Sequence, residues 1–295
     1  MNSFFQGRND EIPYGEGYAD SVYFYTLPFG TNVGGDNTYD MAIKDGKPVF
    51  LPTTEEYKKG IEAMHRAYEQ GLIDPEIFTQ DDTMRDSKLM SKTPVIGSAP
   101  GWTTDSTFGA NADQYAPLPA LKGSDGKQYI ASDPQHLNYS RYEFIVTSKC
   151  KNPDTLLKWI DGFYTDDASI QNFYGGFDKA VKKNSDGNYK VLKPDDGSSA
   201  DTFAWVNSLR DFGPKYVDDE FNARVTYEGD NGNASKLAMD KDFAQYARPA
   251  FPNVSYSQEQ LQNLATLYTD ISAYVDSTQA DWVSKGGLSP AGMTI

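Results

Sequence analysis

The sequence predicts an α/β fold with two domains. At 295 residues the chain is long enough to form two hydrophobic cores. Three Asp-Gly pairs, Asp45-Gly46, Asp125-Gly126 and Asp186-Gly187, lie between strand-like segments and indicate tight turns, because Asp-Gly tolerates positive φ. Amphipathic helices separate these segments, which favours α/β over an all-β class.

The first helix is predicted after residue 53. Thr53 and Glu56 match a capping box, and Gly71 ends the pattern. The apolar positions that we expect to face a core are Tyr57, Ile61, Met64 and Tyr68.

A strand and a turn come next in the chain. Residues 94–97 read as a short strand, and residues 98–101 form a Gly/Pro-rich turn. Trp102 follows, and residues 103–105 carry side chains that can cap a short helix. A loop after a strand is a common place for binding residues.

Residues 142–167 predict a buried strand followed by a capped helix. The strand is the apolar run 144–146, Asn152 lies at the N-cap, and Pro153 lies at the first helical position. The inward positions of the helix are Leu156, Leu157, Ile160, Phe163 and Tyr164.

Two further helices complete the pattern. Residues 200–212 place Phe203, Val206 and Leu209 on an inward face. Near the end of the chain, Ser257 and Gln260 form a capping box before a helix of about six turns. The apolar stripe of that last helix, also expected to face a core, is Leu261, Leu264, Leu267, Tyr268, Ile271 and Val275.

Charge and composition exclude several classes of function. The formal net charge of −15 opposes binding to nucleic acids and to anionic membrane surfaces. No stretch reaches the roughly 18 apolar residues of a transmembrane helix, and residues 1–5 do not have the pattern of a signal peptide. The single cysteine, Cys150, excludes an intramolecular disulfide.

The residue patterns of several segments resemble those of a known protein family. Ser148-Lys149, Lys151-Asn152-Pro153 and the aromatic-rich helix after them resemble the segment where bacterial extracellular solute-binding proteins of family 1 re-enter their first lobe. Residues 8–13, 53–73 and 252–276 also resemble parts of the oligosaccharide-binding branch. These proteins deliver oligosaccharides to ABC importers.

The resemblance implies an incomplete periplasmic-binding-protein-like fold of two lobes, with lobe two better represented. It assigns residues 13–137 and 201–285 to lobe two, residues 138–200 to a remnant of lobe one, and residues 1–12 and 286–295 to tails. Family members carry a half-lobe and an export signal upstream, so the chain reads as an internal fragment that also lacks the extreme C-terminus. The resemblance further implies an extracellular, monomeric protein. In the full-length form, an N-terminal lipid is expected to anchor it to the membrane, and an ABC transporter permease is its expected partner.

The resemblance also bears on a metal site. Residues 8–13 resemble the end of a calcium loop, in which Asp10 and Glu11 match ligand positions. Phe4, Phe5 and Gln6 stand where the family has Asn and Asp. Calcium takes about six to eight oxygen ligands, more than Asp10 and Glu11 can supply. We therefore expect no cofactor to be required here, although full-length members of the family bind calcium.

The expected ligand is an oligosaccharide bound in a cleft between the lobes. Aromatic platforms and polar side chains suit sugar rings, which have apolar faces and a rim of hydroxyls. The candidate ligand-binding residues are Trp102, Tyr139, Tyr142, Tyr174 and Arg248, whereas Trp159, Trp205 and Trp282 are expected to pack in cores. For Trp102, a plug beneath its loop is the competing interpretation.

No motif for catalysis is present. His65 and His136 lie in no recognised catalytic context, and the sequence contains no nucleophile elbow, Walker loop, HExxH or cysteine-based metal motif. We therefore expect a binding protein rather than an enzyme. A carbohydrate-active enzyme, and a surface module for glycan adhesion, remain the alternatives.

Overall fold

The computed structural model describes residues 8, 10–31, 40–123, 125–130, 144–210, 212–228, 239, 241–247 and 256–286. The chain divides into two compact units. Unit 1 comprises residues 1–101, 107–137 and 240–295, and unit 2 comprises residues 102–106 and 138–239. Residues 201–239, predicted to join lobe two, cluster in unit 2 with residues 138–200; the assignment of the units to lobes stays a prediction.

Unit 1 is built on helix packing with one hairpin. The helices are α1 (Tyr18–Thr26), α2 (Glu55–Glu69), α3 (Asp82–Leu89), α4 (Thr104–Phe108, whose last two residues lie in this unit) and α9 (Gln258–Lys285), and the strands are β1 (Met41–Lys44) and β2 (Lys47–Phe50). The two strands pair antiparallel across Asp45-Gly46, where both residues have positive φ, as the turn prediction requires.

The core of unit 1 lies between α1, α2 and α9. Tyr57, Ile61 and Met64 of α2 are buried there, as predicted, together with Val283 of α9. Trp282 packs against the same cluster, which confirms its predicted structural role. The N-cap of α2 is Thr54, whose Oγ1 accepts a hydrogen bond from the Tyr57 amide at 3.3 Å, so the predicted cap at Thr53 was one residue early.

Helix α9 begins as predicted but buries less than predicted. The capping box of Ser257 and Gln260 is formed, and the helix runs for 28 residues. Its predicted inward stripe is wrong over much of its length, because Leu261, Leu267 and Ile271 are exposed. The burial of α9 begins near Thr278, where α2 covers it.

Unit 2 combines helices with a three-stranded sheet. The helices are α5 (Pro153–Asp161), α6 (Asp166–Tyr174), α7 (Ala200–Asn207) and α8 (Asp219–Ala223), and the strands are β3 (Val181–Lys183), β4 (Tyr189–Val191) and β5 (Val225–Tyr227). Strand β4 pairs antiparallel with β3 across Asp186-Gly187 and parallel with β5. The core side chains are Ile170, Tyr174, Ala180, Val181, Tyr189, Val191, Ala200 and Phe221.

Four predictions for unit 2 are corrected by the structure. Residues 144–146 form no strand, and Ile145 is exposed, since a strand requires a partner for its backbone groups and none of the described residues provides one. Val206 and Leu209 are exposed rather than inward. In α5 only Ile160 is buried, while Leu157 and Trp159 are exposed, as is Tyr164 just after the helix. Trp159 and Trp205 are both more than half exposed, so the expectation that they pack in cores is wrong.

Candidate functional site

The loop that carries Trp102 is fixed by its neighbours in the fold. Ile96 forms a parallel bridge with Ile12, and the Tyr115 hydroxyl donates to the Ile96 carbonyl at 2.6 Å. At the next turn, the Ser98 hydroxyl donates to the Pro13 carbonyl at 2.8 Å. The predicted strand 94–97 is therefore reduced to one bridge, but the chain entering the loop is held on two sides.

Gly101 allows this loop to approach Thr107 near the end of α4 closely. A Cβ at position 101 would lie 1.9 Å from Thr107 Oγ1, so a larger residue there would force Thr107 or the loop to shift. After the loop, Thr103 and Ser106 hydrogen-bond reciprocally, since the amide of each donates to the hydroxyl of the other at 3.2 Å. The residue between Gly101 and Thr103 is thus fixed on both flanks.

Trp102 itself presents its indole to solvent. Its side chain is 75% exposed, although large apolar side chains are usually buried. A plug beneath the loop is therefore not what the structure shows. An exposed tryptophan on a restrained backbone is suited to stack on an apolar ligand face, because little ordering is left to occur on binding.

None of the other predicted ligand-binding residues is seen exposed in the described part of the structure. Tyr139, Tyr142 and Arg248 lie outside the described residues. Tyr174 lies in the core of unit 2, only 6% exposed, with its hydroxyl 2.7 Å from that of Tyr227, and burial raises its pKa well above the usual range. Contact between Tyr174 and a ligand would require this pair to open.

In the segment that resembles the end of a calcium loop, the Asp10 carboxylate is paired with Arg8 of the same segment. Arg8 donates from Nε to Asp10 Oδ1 at 2.8 Å and from Nη2 to Oδ2 at 2.5 Å, and its Nη1 donates to the Pro94 carbonyl at 2.9 Å. These hydrogen bonds hold the pKa of Asp10 below its usual range. No group of three potential metal ligands occurs among the residues that the structure describes. Among the described residues of this segment, Asp10 is thus engaged by Arg8, and the expectation that no calcium is required here stays a prediction.

One further polar surface was not indicated by any sequence pattern. A concave region of about 510 Å³ lies within unit 2 and is lined by Thr165, Asp166, Asp167, Lys183, Gly187, Tyr189 and Arg224.

The charged groups of this region pair with one another. Lys183 lies 2.7 Å from Asp167, and Arg224 lies 2.9 Å from Asp166. The Tyr189 hydroxyl also donates to Asp167 at 2.5 Å. The four charges neutralise one another, and we assign no ligand to this surface.

Comparison with known proteins identifies the fold. No protein-family model matches the chain. The fructooligosaccharide ABC transporter substrate-binding protein FusA of Streptococcus pneumoniae is 26% identical to this chain over an alignment of 298 positions. The alignment covers 96% of this chain and 53% of FusA. The chain is therefore similar to this substrate-binding protein over nearly its whole length. It spans about half the length of this curated relative.

Several solved structures share the fold of this chain. A human-milk-oligosaccharide (HMO) binding solute-binding protein of Bifidobacterium longum infantis superposes with a TM-score of 0.78 at 24% identity, over 99% of this chain and 62% of that one. FusA of S. pneumoniae in complex with kestose gives 0.73 at 25% identity, over 95% and 57%. An EF-hand mutant of FusA in complex with fructo-nystose gives 0.74 at 24% identity, over 97% and 58%.

These comparisons confirm the predicted fold class, which is α/β and periplasmic-binding-protein-like. They also confirm the resemblance inferred from the scaffold segments of the sequence. Among the described residues, no helix combines the length and the apolar character needed to cross a membrane.

Proposed function

We propose that this protein binds an oligosaccharide without turning it over, as the substrate-binding component of an ABC importer outside the cell. The similarity to FusA over 96% of the chain carries this proposal. The exposed indole of Trp102 on its restrained loop supports it, because sugar rings stack on such platforms.

The energetic requirement for such binding is modest. A fully buried aromatic side chain covers roughly 150–250 Å². At about 25 cal/mol per Å², that corresponds to roughly 4–6 kcal/mol before ordering and desolvation costs. Two or three platforms therefore suffice for micromolar affinity, which is about −8 kcal/mol. We place Trp102 among these platforms and retain Tyr139, Tyr142 and Arg248 as proposed contacts.

The protein is proposed to lack a metal requirement at residues 8–13, since Arg8 already neutralises Asp10. Thermal stability measured in excess calcium and in excess chelator checks this point. Equal melting temperatures are expected. A rise of several degrees with calcium that Asp10→Asn abolishes would contradict the proposal.

The experiment for the proposed ligand site is a calorimetric titration with nystose and kestose. Trp102→Ala should weaken binding by about fivefold or more, which corresponds to about 1 kcal/mol. Trp159→Ala is the matched control, since Trp159 is also more than half exposed and lies in α5, and it should leave the affinity unchanged. Equal effects of the two substitutions would remove Trp102 from the site.

A further inference from the structure

Gly101 and Thr107 lie close together at the two ends of the short segment that carries Trp102. A Cβ on Gly101 would lie 1.9 Å from Thr107 Oγ1, 2.9 Å from its Cβ and 3.0 Å from its Cγ2, whereas ordinary contacts of a Cβ span 3.4–4 Å. The φ angle of Gly101 lies outside the left-handed region. The close approach, and not the backbone conformation, therefore requires glycine at this position.

Rotation of the Thr107 side chain does not relieve this contact. A different χ1 rotamer would move Oγ1 and Cγ2, but the backbone fixes the position of the Thr107 Cβ. At 2.9 Å, that atom alone is too close to a Cβ at position 101. An alanine at position 101 would therefore push the two backbone segments apart by about half an ångström.

The Thr107 side of this contact is the better held of the two. Thr107 is buried, and the next residue, Phe108, is buried in a small core and stacks on the Tyr115 ring with 3.6 Å between the ring centres. On the other side, Gly101 and Trp102 are exposed. We expect the displacement at these two residues, because a close-packed core resists movement more than an exposed loop does.

The other flank of the segment is held by hydrogen bonds of Ser106. The Ser106 hydroxyl accepts from the Thr103 amide at 3.2 Å and from the Thr103 hydroxyl at 2.9 Å, and it donates to the Thr103 carbonyl at 3.2 Å. The Ser106 amide donates to Thr103 Oγ1 at 3.2 Å. Trp102 thus lies between a close backbone approach and a hydrogen-bonded turn.

We propose that Gly101 is a positioning residue for Trp102. Glycine at this position lets the backbone pass Thr107 closely and so sets how the indole is presented to a ligand. This inference rests on the proposed sugar site at Trp102. Binding groups must be held within about 0.5 Å of their productive geometry, and the displacement expected from a methyl group at position 101 reaches that size.

Calorimetric titration with nystose measures the consequence for binding. Gly101→Ala should weaken the affinity by about fivefold or more. In the Thr107→Gly background, where no side chain opposes the added methyl group, the same substitution should weaken it by less than about twofold. Gly162→Ala is the matched control and should leave the affinity unchanged, because Gly162 has φ −62 and a Cβ there would meet no atom within 4 Å.

Fluorine NMR of the ligand-free chain, labelled with fluorotryptophan, reports on Trp102 directly. The chain contains 4 tryptophans, and the Trp102 resonance is the one that Trp102→Phe removes. Gly101→Ala should shift this resonance and leave the others in place, whereas a general loss of structure would move them all. In the Thr107→Gly background, the same substitution should leave the Trp102 resonance where it is.

Ser106 offers a milder perturbation on the other flank, which keeps the proposal testable if Gly101→Ala does not fold. Ser106→Ala removes the hydroxyl that pairs with Thr103, so it should shift the Trp102 resonance and weaken nystose binding. Ser106→Thr keeps a hydroxyl at this position and should restore both the resonance and the affinity.

Two results would overturn the proposal. One is a Trp102 resonance that neither Gly101→Ala nor Ser106→Ala shifts, and the other is a loss of affinity that is equally large in the Thr107→Gly background. If the unaltered chain binds no sugar, the proposed function fails, and the fluorine spectra still decide whether Gly101 positions Trp102.

Discussion

Replacing Lys88 by methionine should destabilise unit 1 strongly. The Lys88 ammonium lies 2.6 Å from Asp74 Oδ2 and 2.6 Å from Glu76 Oε2, and it also donates to Gln80 Oε1 at 2.9 Å. Asp74 is only 1% exposed, and the Lys88 ammonium is in direct contact with its carboxylate. Burial alone would lower the pKa of Lys88, but the hydrogen bonds to Asp74 and Glu76 outweigh burial and raise it.

The expected cost follows from the burial of the carboxylate. Removing one partner of a buried ion pair costs about 3–5 kcal/mol, because the other charge stays buried and uncompensated. Lys88 retains about a fifth of its side-chain exposure, which allows some water to replace it, and so we expect about 3 kcal/mol. Asp74 also accepts from the Glu76 amide at 3.0 Å, and this hydrogen bond remains in the variant.

Urea unfolding followed by circular dichroism measures the effect. Lys59→Met is the matched control, since Lys59 is an exposed helical lysine of α2, and it should change stability by less than about 0.5 kcal/mol. A double variant Asp74→Asn/Lys88→Met should recover part of the loss, because no uncompensated charge remains. If Lys88→Met costs no more than Lys59→Met, the reasoning on buried charge is refuted.

Three further predictions follow from particular contacts. Gly286, which has φ +63, ends α9, and a Cβ there would lie 2.7 Å from His65 Nε2, so Gly286→Ala should cost about 1–2 kcal/mol. Gly126 also has positive φ but no atom within 4 Å of the added Cβ, so Gly126→Ala should lower the stability less when both variants are measured by thermal unfolding. Equal losses of stability would argue against the His65 contact. Hydrogen bonds from Lys183 and then Tyr189 lower the pKa of Asp167, so the stability they contribute is present above the unfolded-state pKa of about 3.9 and is lost as the pH falls through the lower folded-state value. Asp167→Asn should therefore flatten the acid limb of a plot of urea midpoint against pH, and an unchanged limb would contradict this linkage. In hydrogen exchange, the amides of residues 144–152 should exchange faster than those of residues 276–285, which include the buried Thr278 and Val283, and equal protection would contradict the absence of a strand at 144–146.

Local chemistry made some elements predictable from the sequence. The turn at Asp45-Gly46 and the capping box of Ser257 and Gln260 are confirmed, because each depends on side chains and backbone within a few residues. The fold class was also accessible, through the segments that resemble solute-binding proteins.

The burial of helix faces was not predictable in the same way. An apolar stripe shows which face of a helix is apolar, but a second element must cover that face, and Leu261 and Val206 have no such cover among the described residues. Residues 144–146 fail as a strand for the related reason that a strand needs a neighbour.

The residues of the candidate site also differ in how far the sequence could predict them. Trp102 was identifiable from its place after a strand and a Gly/Pro-rich turn, and the structure shows it exposed on a restrained loop. The pairing of Arg8 with Asp10 and the burial of Tyr174 depend on contacts with distant parts of the chain or on side-chain geometry, which no local pattern specifies.

The most direct test of the central claim is a titration of the purified chain with nystose by isothermal calorimetry, followed by chromatography of the sugar after prolonged incubation. We predict saturable binding at micromolar to millimolar concentrations, and nystose that is recovered intact. Shorter sugars in the chromatogram would contradict the claim of binding without turnover. The absence of binding to nystose, kestose and milk oligosaccharides alike would contradict the proposed function itself.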